Sequence, residues 1–355
     1  MKALLLSDYR RLQIADVPTP TPGAGEILVR VGACGICGSD VHGYDGSSGR
    51  RIPPIVMGHE AAGTVESVGQ GVGEFSVGDR VTFDSTVSCG TCDFCLHQKS
   101  NLCDNRKVLG VSCGDYRRAG AFAEYVVVPQ HIVYRLPQNL SYSEAAMLEA
   151  VSVALHAVSL SPITAGSTAL VLGAGMIGLL TLQALRAAGC ARVFVADIDA
   201  SRLKLASDLG ATALQATGAE LISQVSDLTG GRGVEVAVEA VGVNETVRTA
   251  VGCVCKGGAV TLVGNISAEV TLPLQKVVTR EIRLQGSCAS AGEYPQAMDL
   301  LASGRIRVKP LITAIAPLED GPQWFERLYA REPDLMKVVL APGMREDEVG
   351  MKKQS

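Results

Sequence analysis

Apolar and polar positions divide the chain into a β-rich beginning and a middle of alternating strands and helices. Up to about residue 150, short apolar stretches such as 26–31, 62–68 and 80–83 lie between turns rich in Gly, Pro and Asp. Stretches of that length between turn residues predict strands rather than long helices. The first part of the chain is therefore expected to form a β-rich domain.

The pattern changes near residue 165. Residues 167–172 form a continuous apolar stretch, and residues 176–188 have a helical periodicity that ends at Gly189. Strands and a helix continue the series at 192–196, 201–209, 234–238, 259–263 and 282–285. Strands that alternate with helices predict a parallel sheet covered on both faces, so the fold class is α/β.

After about residue 288 the alternation is expected to stop, and the polar residues 344–355 are expected to form a loose tail. With 355 residues, the chain is long enough for two domains. Its net charge of −4 gives no electrostatic reason to expect nucleic acid or an anionic membrane surface as a partner.

No apolar stretch approaches the roughly 18 residues of a membrane helix, and the beginning of the chain lacks a signal-peptide pattern. We therefore expect a cytoplasmic protein. In that compartment the 11 cysteines favour metal binding over disulfides.

A glycine-rich loop follows the apolar stretch at 167–172. Gly173, Gly175 and Gly178 form a G-x-G-x-x-G motif in which Met176 and Ile177 open the next helix. In a dinucleotide-binding loop these glycines allow a tight turn, close approach of the pyrophosphate and close helix–strand packing. The helix N-terminus then offers N–H groups to the phosphates.

Asp197 follows Gly178 by 19 residues and lies at the end of the second predicted strand. An acid there accepts hydrogen bonds from the adenosine ribose and repels a 2′-phosphate, which favours NAD over NADP. The alternative is an ordinary glycine turn, with Asp197 as a helix cap.

Four cysteines form a C-x2-C-x2-C-x7-C pattern, at Cys89, Cys92, Cys95 and Cys103. Two-residue gaps let thiolates converge on one tetrahedral ion, and four sulfur ligands leave no open position, so a structural zinc is predicted. An iron–sulfur cluster is the second interpretation, although the last spacing does not fit a ferredoxin. A disulfide pair is the third.

Cys37 and the pair His59 and Glu60 lie in two separate segments. A Cys, a His and nearby carboxylates suit a catalytic zinc that keeps one position open. Spacing alone leaves open that Cys37 is a small buried apolar residue and His59 a satisfied core histidine.

These motifs together resemble the zinc-containing medium-chain dehydrogenases. The motifs GICGSDVHG, GHEAAGTV, VGDRV, the cysteine lobe and VLGAGMIG occur in the order of that family. The resemblance implies a GroES-like β-rich catalytic domain in two segments, 1–152 and 289–355, with a Rossmann domain at 153–288 inserted between them.

The resemblance is strongest to the polyol, sorbitol/L-iditol-type branch. Glu149 stands where classical alcohol dehydrogenases have a cysteine ligand. The resemblance implies that Cys37 and His59 bind the catalytic zinc, with Glu60 and Glu149 as the carboxylates beside it, either of which can ligate directly. Asp40 resembles the acid that orients the ligand histidine. Two zinc ions per chain are expected, one catalytic and one structural.

The resemblance also implies a proton relay. Ser39 would accept the proton of the substrate hydroxyl and His42 would receive it near the surface, while hydride passes to NAD. Ser39 as a turn residue and His42 as an ordinary surface histidine are the alternatives. Arg202 matches a basic residue near the adenosine, or is a solvated helix charge. Further cofactor contacts are expected at Val263, Gly264, Asn265, Ser287, Cys288 and Ala289.

The substrate is expected to be a small polyol with a secondary alcohol. Animal sorbitol dehydrogenases have an arginine where this chain has Ala289, so sorbitol itself is not expected. Alternatives are a hexitol phosphate, held by Arg50 and Arg51 if these are not a solvated loop pair, and threonine or butanediol. A non-catalytic dinucleotide-binding protein is the alternative from another class. The family is commonly dimeric or tetrameric, so a homodimer or homotetramer is expected.

Overall fold

The computed structural model describes residues 1–112 and 117–343, which form two compact units. The first contains residues 1–149, 294–302 and 308 onward, and the second contains residues 150–293 and 303–307. The domain boundaries predicted from the sequence lie after residues 152 and 288. The polar tail predicted at 344–355, and Cys113, lie outside the described residues.

The elements up to residue 159 are, in chain order, β1 Lys2–Asp8, β2 Arg11–Asp16, β3 Glu26–Gly35, α1 Gly38–Tyr44, β4 Ile55–Val56, β5 Glu60–Val68, β6 Arg80–Phe83, β7 Thr86–Val87, α2 Asp93–Leu96, β8 Lys107–Val108, β9 Tyr125–Pro129, β10 Val133–Arg135, α3 Tyr142–Ala145 and α4 Leu148–Ser159. The elements that follow are β11 Thr168–Leu172, α5 Met176–Ala187, β12 Arg192–Ala196, α6 Ala200–Asp208, β13 Thr212–Leu214, α7 Gly218–Leu228, β14 Val234–Glu239, α8 Asn244–Cys253, β15 Val254–Leu262, α9 Leu274–Thr279, β16 Arg283–Gly286, α10 Tyr294–Ala302, β17 Ile312–Pro317, α11 Gly321–Tyr329 and β18 Lys337–Ala341.

The first unit is built on a sheet in the order β10-β6-β5-β3-β18-β17, with β9 also paired to β3. The long strand β3 alternates apolar residues into a buried core, which includes Val29, Val31 and Phe122. β3 pairs antiparallel with β5, and Gly35 lies opposite Glu60. This register places the segment that leaves β3, which carries Cys37, beside the segment that enters β5, which carries His59.

The second unit is a parallel six-stranded sheet in the order β13-β12-β11-β14-β15-β16. Its strands are almost continuously apolar because helices cover both faces. From β11 the chain adds β12 and β13 on one side and then β14 to β16 on the other. Ligands of such doubly wound sheets bind where the strand order reverses, at the carboxyl ends of the strands. The predicted α/β fold class is confirmed.

The expectation that alternation stops after residue 288 is wrong. Helix α10, strand β17, helix α11 and strand β18 continue it, and β17 pairs parallel with β18. These strands join the sheet of the first unit, because β18 pairs with the end of β3 through Leu340 and Cys34. Within the described ranges, no helix combines the length and apolar character that crossing a bilayer requires.

Candidate functional site

The glycine loop has the geometry of a phosphate-binding turn. Gly173 follows β11 with φ +96°, a conformation that favours glycine. A Cβ on Gly178 would collide with the carbonyl oxygen of Gly173, so helix and loop approach as closely as a glycine allows. Gly175 caps α5 without a side chain, and a Cβ there would meet only open space. The N-terminus of this 12-residue helix therefore leaves N–H groups and room for phosphates.

Asp197 lies just beyond β12 and is tied to the same loop. Its carboxylate accepts hydrogen bonds from the backbone N–H of Ala174 at 2.6 Å and of Asp199 at 2.9 Å. Asp199, not Asp197, caps α6, because it accepts from Ser201 and Arg202. The alternative that Asp197 is a helix cap is therefore wrong.

Two residues next to Asp197 add to this edge of the sheet. Arg202 lies 3.6 Å from Asp199 and is partly exposed, so the structure shows it as a charge at the start of its helix. Ile198 is 76% exposed, and it was not predicted as a site residue from the sequence. Its signal was an apolar residue between two acids at the end of a strand.

The ends of β14 and β15 are held together by backbone contacts. Val263 and Gly264 donate to the carbonyl of Glu239, and a Cβ on Gly264 would collide with Gly242. The buried carboxylate of Glu239 in turn accepts from the N–H groups of Val241 and Gly242. Glu239 was not predicted, and it shapes the loop between the two strands.

The remaining predicted cofactor contacts lie beyond β15 and β16. Asn265 and Cys288 are exposed, and Ala289 adopts φ +52°, unusual for a residue with a side chain. The hydroxyl of Ser287 is buried and has no hydrogen-bond partner among the described residues.

The four lobe cysteines converge. Their sulfur atoms lie within 4.8 Å of one another, and Cys92 and Cys95 are separated by 3.5 Å, far beyond a disulfide bond. Hydrogen bonds from the backbone and hydroxyl of Thr91 lower the pKa of the Cys89 thiol to about 5, which favours its thiolate form. The donor set fits a closed tetrahedral zinc site.

A second group of donors lies where β3 ends and β5 begins. Donor atoms of Cys37, His59 and Glu60 lie within 4.8 Å of one another. His59 is buried, and its Nδ1 lies within ion-pair distance of Asp40 without making a well-aligned hydrogen bond among the described residues. Cys37 is partly exposed rather than packed in the core. Sulfur, imidazole and carboxylate together fit zinc with an open position.

Asp40 lies beside this group, fully buried on helix α1. Its Oδ1 is 3.4 Å from Nδ1 of His59 and accepts a hydrogen bond from Arg51 at 2.9 Å. Burial opposes ionisation, but the charges of His59 and Arg51 hold the pKa of Asp40 well below its usual range. Burial likewise lowers the pKa of His59, yet the charges of Asp40 and Cys37 raise it well above its ordinary value.

The position of Arg51 differs from both interpretations made from the sequence, a solvated loop residue and a phosphate ligand. Its side chain is buried, so it does not belong to a solvated loop pair. Its Nη2 is committed to Asp40 and to the hydroxyl of Ser39, at 3.1 Å, so it is not an open phosphate ligand either. Arg50 is exposed, and His42 is exposed on α1, three residues after Ser39.

Lys337 lies beside the site and was not predicted from the sequence. Its buried Nζ lies 2.6 Å from Glu60 and donates to the carbonyl of Ile36 at 3.1 Å. No local pattern marked it, because it follows Glu60 by 277 residues.

Glu149 is partly buried and does not belong to the three-donor group. Desolvation raises its pKa to about 7, with His59 opposing the shift and Glu60 adding to it. The structure therefore places Glu60 closer to the predicted metal ligands, and Glu149 beside them.

Two family models match the chain. Residues 23–138 match the alcohol dehydrogenase GroES-like domain, and residues 177–303 match the zinc-binding dehydrogenase model. The first range contains both groups of metal donors, and the second begins inside the glycine loop.

Relatives match over nearly the full length. The sorbitol dehydrogenase of Bacillus subtilis (strain 168) is 34% identical, over 96% of this chain and 97% of that protein. D-xylulose reductase A of Aspergillus oryzae is 34% identical, over 92% and 93%. The crystal structure of a zinc-binding dehydrogenase from Sinorhizobium meliloti 1021 bound to NADP is 34% identical, with a TM-score of 0.86 over 96% of this chain and 99% of that one.

The comparisons agree with the two donor groups and the dinucleotide loop. They make this protein a zinc-dependent alcohol dehydrogenase that uses a nicotinamide dinucleotide. The chain belongs to the zinc-containing medium-chain dehydrogenases, in the branch that contains the polyol dehydrogenases.

Proposed function

We propose that the protein transfers hydride from a secondary alcohol of a polyol to NAD. The observation that carries this proposal is the convergence of Cys37, His59 and Glu60, with Glu149 rather than a cysteine as the fourth candidate ligand. The relatives named for sorbitol and D-xylulose support a polyol as the substrate class.

Bound zinc would acidify the substrate hydroxyl, and the bound dinucleotide would accept the hydride. The chain's own residues then position the substrate and move the proton. Ser39 accepts the proton of the substrate hydroxyl, and the exposed His42, one turn further along α1, delivers it to water. Asp40 orients His59 through its carboxylate.

NAD is favoured over NADP by the position of Asp197 at the end of β12. A carboxylate there repels a 2′-phosphate and accepts from the ribose hydroxyls. Ile198, exposed beside it, offers an apolar surface to the adenine ring. The Sinorhizobium meliloti protein was crystallised with NADP, so the coenzyme needs a direct test.

Two zinc ions per chain are part of the proposal, one held by Cys37, His59 and a glutamate and one by the four lobe cysteines. A cytoplasmic location is supported by the four lobe cysteines, whose sulfur atoms are arranged as metal donors rather than as a disulfide. Association into a homodimer or homotetramer is supported by exposed apolar side chains at Ile266, Leu274 and Val278.

The proposal is tested by NADH formation across a panel of polyols, hexitol phosphates, butanediol and threonine, with NADP in parallel. Zinc per chain is measured on the same samples. We expect turnover of at least one polyol with NAD and two zinc ions. In Cys37→Ser we expect one zinc and loss of turnover, and in Cys95→Ser loss of the lobe zinc. Cys255→Ser, in the other unit, is the control and keeps both zinc ions.

Turnover confined to phosphorylated hexitols, to threonine or to butanediol would replace the polyol assignment. Bound zinc and NAD without turnover of any alcohol would refute the substrate class. A protein that retains two zinc ions in Cys37→Ser would refute the catalytic metal site.

A further inference from the structure

Arg51 is a buried arginine that contacts two residues of the site at once. Only 3% of its surface is exposed. Its Nη2 donates to Oδ1 of Asp40 at 2.9 Å and to Oγ of Ser39 at 3.1 Å. Asp40 in turn lies 3.4 Å from the imidazole of His59. One guanidinium nitrogen therefore links the proposed proton acceptor to the carboxylate behind a metal ligand.

The chain around Arg51 holds it in this place. Ser112 accepts from the N–H of Ile52 and donates its hydroxyl to the carbonyl of the same residue, and its own N–H donates to the carbonyl of Arg50. The stem of Arg51 packs on α1 at Gly43, where a Cβ would collide with it. The position of the guanidinium is thus set by packing and by backbone hydrogen bonds on both sides.

If Arg51 served only to neutralise Asp40, it would not need its second contact, with Ser39. A permanently charged donor at Oγ occupies one lone pair of the hydroxyl and makes the hydroxyl's own proton easier to release. The remaining lone pair accepts the substrate proton as the hydroxyl's own proton leaves toward His42. The number of protons on Ser39 is unchanged after the transfer.

We propose that Arg51 is a positioning residue that fixes Ser39 and Asp40 together, so that the proton acceptor and the ligand His59 keep one geometry. This inference rests on the proposed dehydrogenase function. It assigns to Arg51 a role in orientation rather than in phosphate binding.

The test is a double-mutant cycle of Arg51→Met and Ser39→Ala, with Arg50→Met as the exposed neighbouring control. We expect Arg51→Met to lower kcat about tenfold or more, with little change in KM. Its Tm should also fall, because the buried carboxylate of Asp40 loses its arginine, so kcat is measured well below the Tm of the variant. In the Ser39→Ala background the same substitution should lower kcat by a clearly smaller factor, because only the contact through Asp40 remains to be lost. Arg51→Lys should recover part of kcat, because an ammonium keeps the charge without the planar fork.

Equal losses of kcat in both backgrounds, or an unchanged kcat in Arg51→Met, would overturn the proposal. If Arg51→Met does not fold, Arg51→Lys takes its place in the cycle with a smaller expected loss, which is again reduced in the Ser39→Ala background. A second readout needs no substrate. A chelator should remove the zinc bound through His59 faster from Arg51→Met than from the wild type, and at the wild-type rate from Arg50→Met.

The two readouts separate failures. If the wild type turns over no alcohol, the proposed function fails, while the chelation rates still report whether Arg51 holds Asp40 and His59. If the wild type is active but neither kcat nor the chelation rate depends on Arg51, only the positioning role is wrong.

Discussion

Glu60 illustrates how single residues of the site depend on distant partners. Its carboxylate lies in the three-donor group and is 2.6 Å from Nζ of Lys337. Gly35, opposite it in the sheet, leaves the room that the carboxylate occupies, because a Cβ there would collide with it. Both members of the pair are almost fully buried, so removing one leaves an uncompensated charge in the protein interior.

We predict that in the metal-free protein Lys337→Met lowers the free energy of unfolding by about 3 kcal/mol or more, the range found when one partner of a buried ion pair is removed. The measurement is urea denaturation. Lys309→Met is the matched control, because the side chain of Lys309 is exposed where it pairs with Glu144. That variant should lose less than about 1 kcal/mol. Similar losses in the two variants would show that Lys337 does not compensate Glu60.

At the scale of elements, the end of β12 and the loop after β11 lie side by side and are joined by a hydrogen bond. The parallel register pairs Leu172 with Ala196, so the glycine loop and Asp197 leave the sheet side by side. Asp197 then accepts from Ala174 inside the loop, while Asp199 caps the following helix. Coenzyme choice and helix capping are thus carried by two different acids, two residues apart.

Asp197→Ala is predicted to raise the ratio of kcat/KM with NADP to kcat/KM with NAD by about tenfold or more, equivalent to ~1.4 kcal/mol. Removing the carboxylate removes both the repulsion of the 2′-phosphate and the ribose hydrogen bonds. Steady-state kinetics with each coenzyme measure the ratio.

Asp199→Ala is the control for this prediction. It should cost about 1 kcal/mol of stability through the lost cap and leave the coenzyme ratio unchanged. An unchanged ratio in Asp197→Ala would contradict the assignment of NAD specificity to this residue.

On the scale of the whole molecule, helix α9 leaves apolar side chains exposed. Leu274 and Val278 are 66% and 65% exposed and lie one turn apart on the helix. Ile266, in the segment before it, is also exposed. Apolar side chains that cluster on a surface mark sites of association.

We predict that the wild type is a dimer or tetramer, and that the variant with Leu274→Glu and Val278→Glu dissociates to a smaller species. Charges in an apolar interface are costly because they lose their hydration. Light scattering coupled to size exclusion measures the mass. Val77→Glu, equally exposed in the other unit, should leave the mass unchanged. A monomeric wild type would contradict the prediction.

Features that depend on neighbouring residues were predictable from the amino-acid sequence. Periodicity predicted the α/β class, the G-x-G-x-x-G spacing predicted the turn at Gly173, and C-x2-C spacing predicted the convergence of Cys89, Cys92 and Cys95. Each of these depends on a few consecutive residues, because backbone geometry places them together whatever the rest of the chain does.

Contacts between residues far apart in the chain were not predictable in this way. Motif spacing alone could not distinguish whether His59 is a core residue or a metal ligand. It also carried no information on Lys337, which contacts Glu60 from near the other end of the chain. It also left Arg51 open between a phosphate ligand and a solvated loop residue, whereas packing against Gly43 buries it beside Asp40. No alternation of strands and helices was expected in the region of β18, but this strand pairs with β3 in the sheet of the first unit. A buried charge needs an opposite charge close in space, and the fold alone determines which distant residue supplies it.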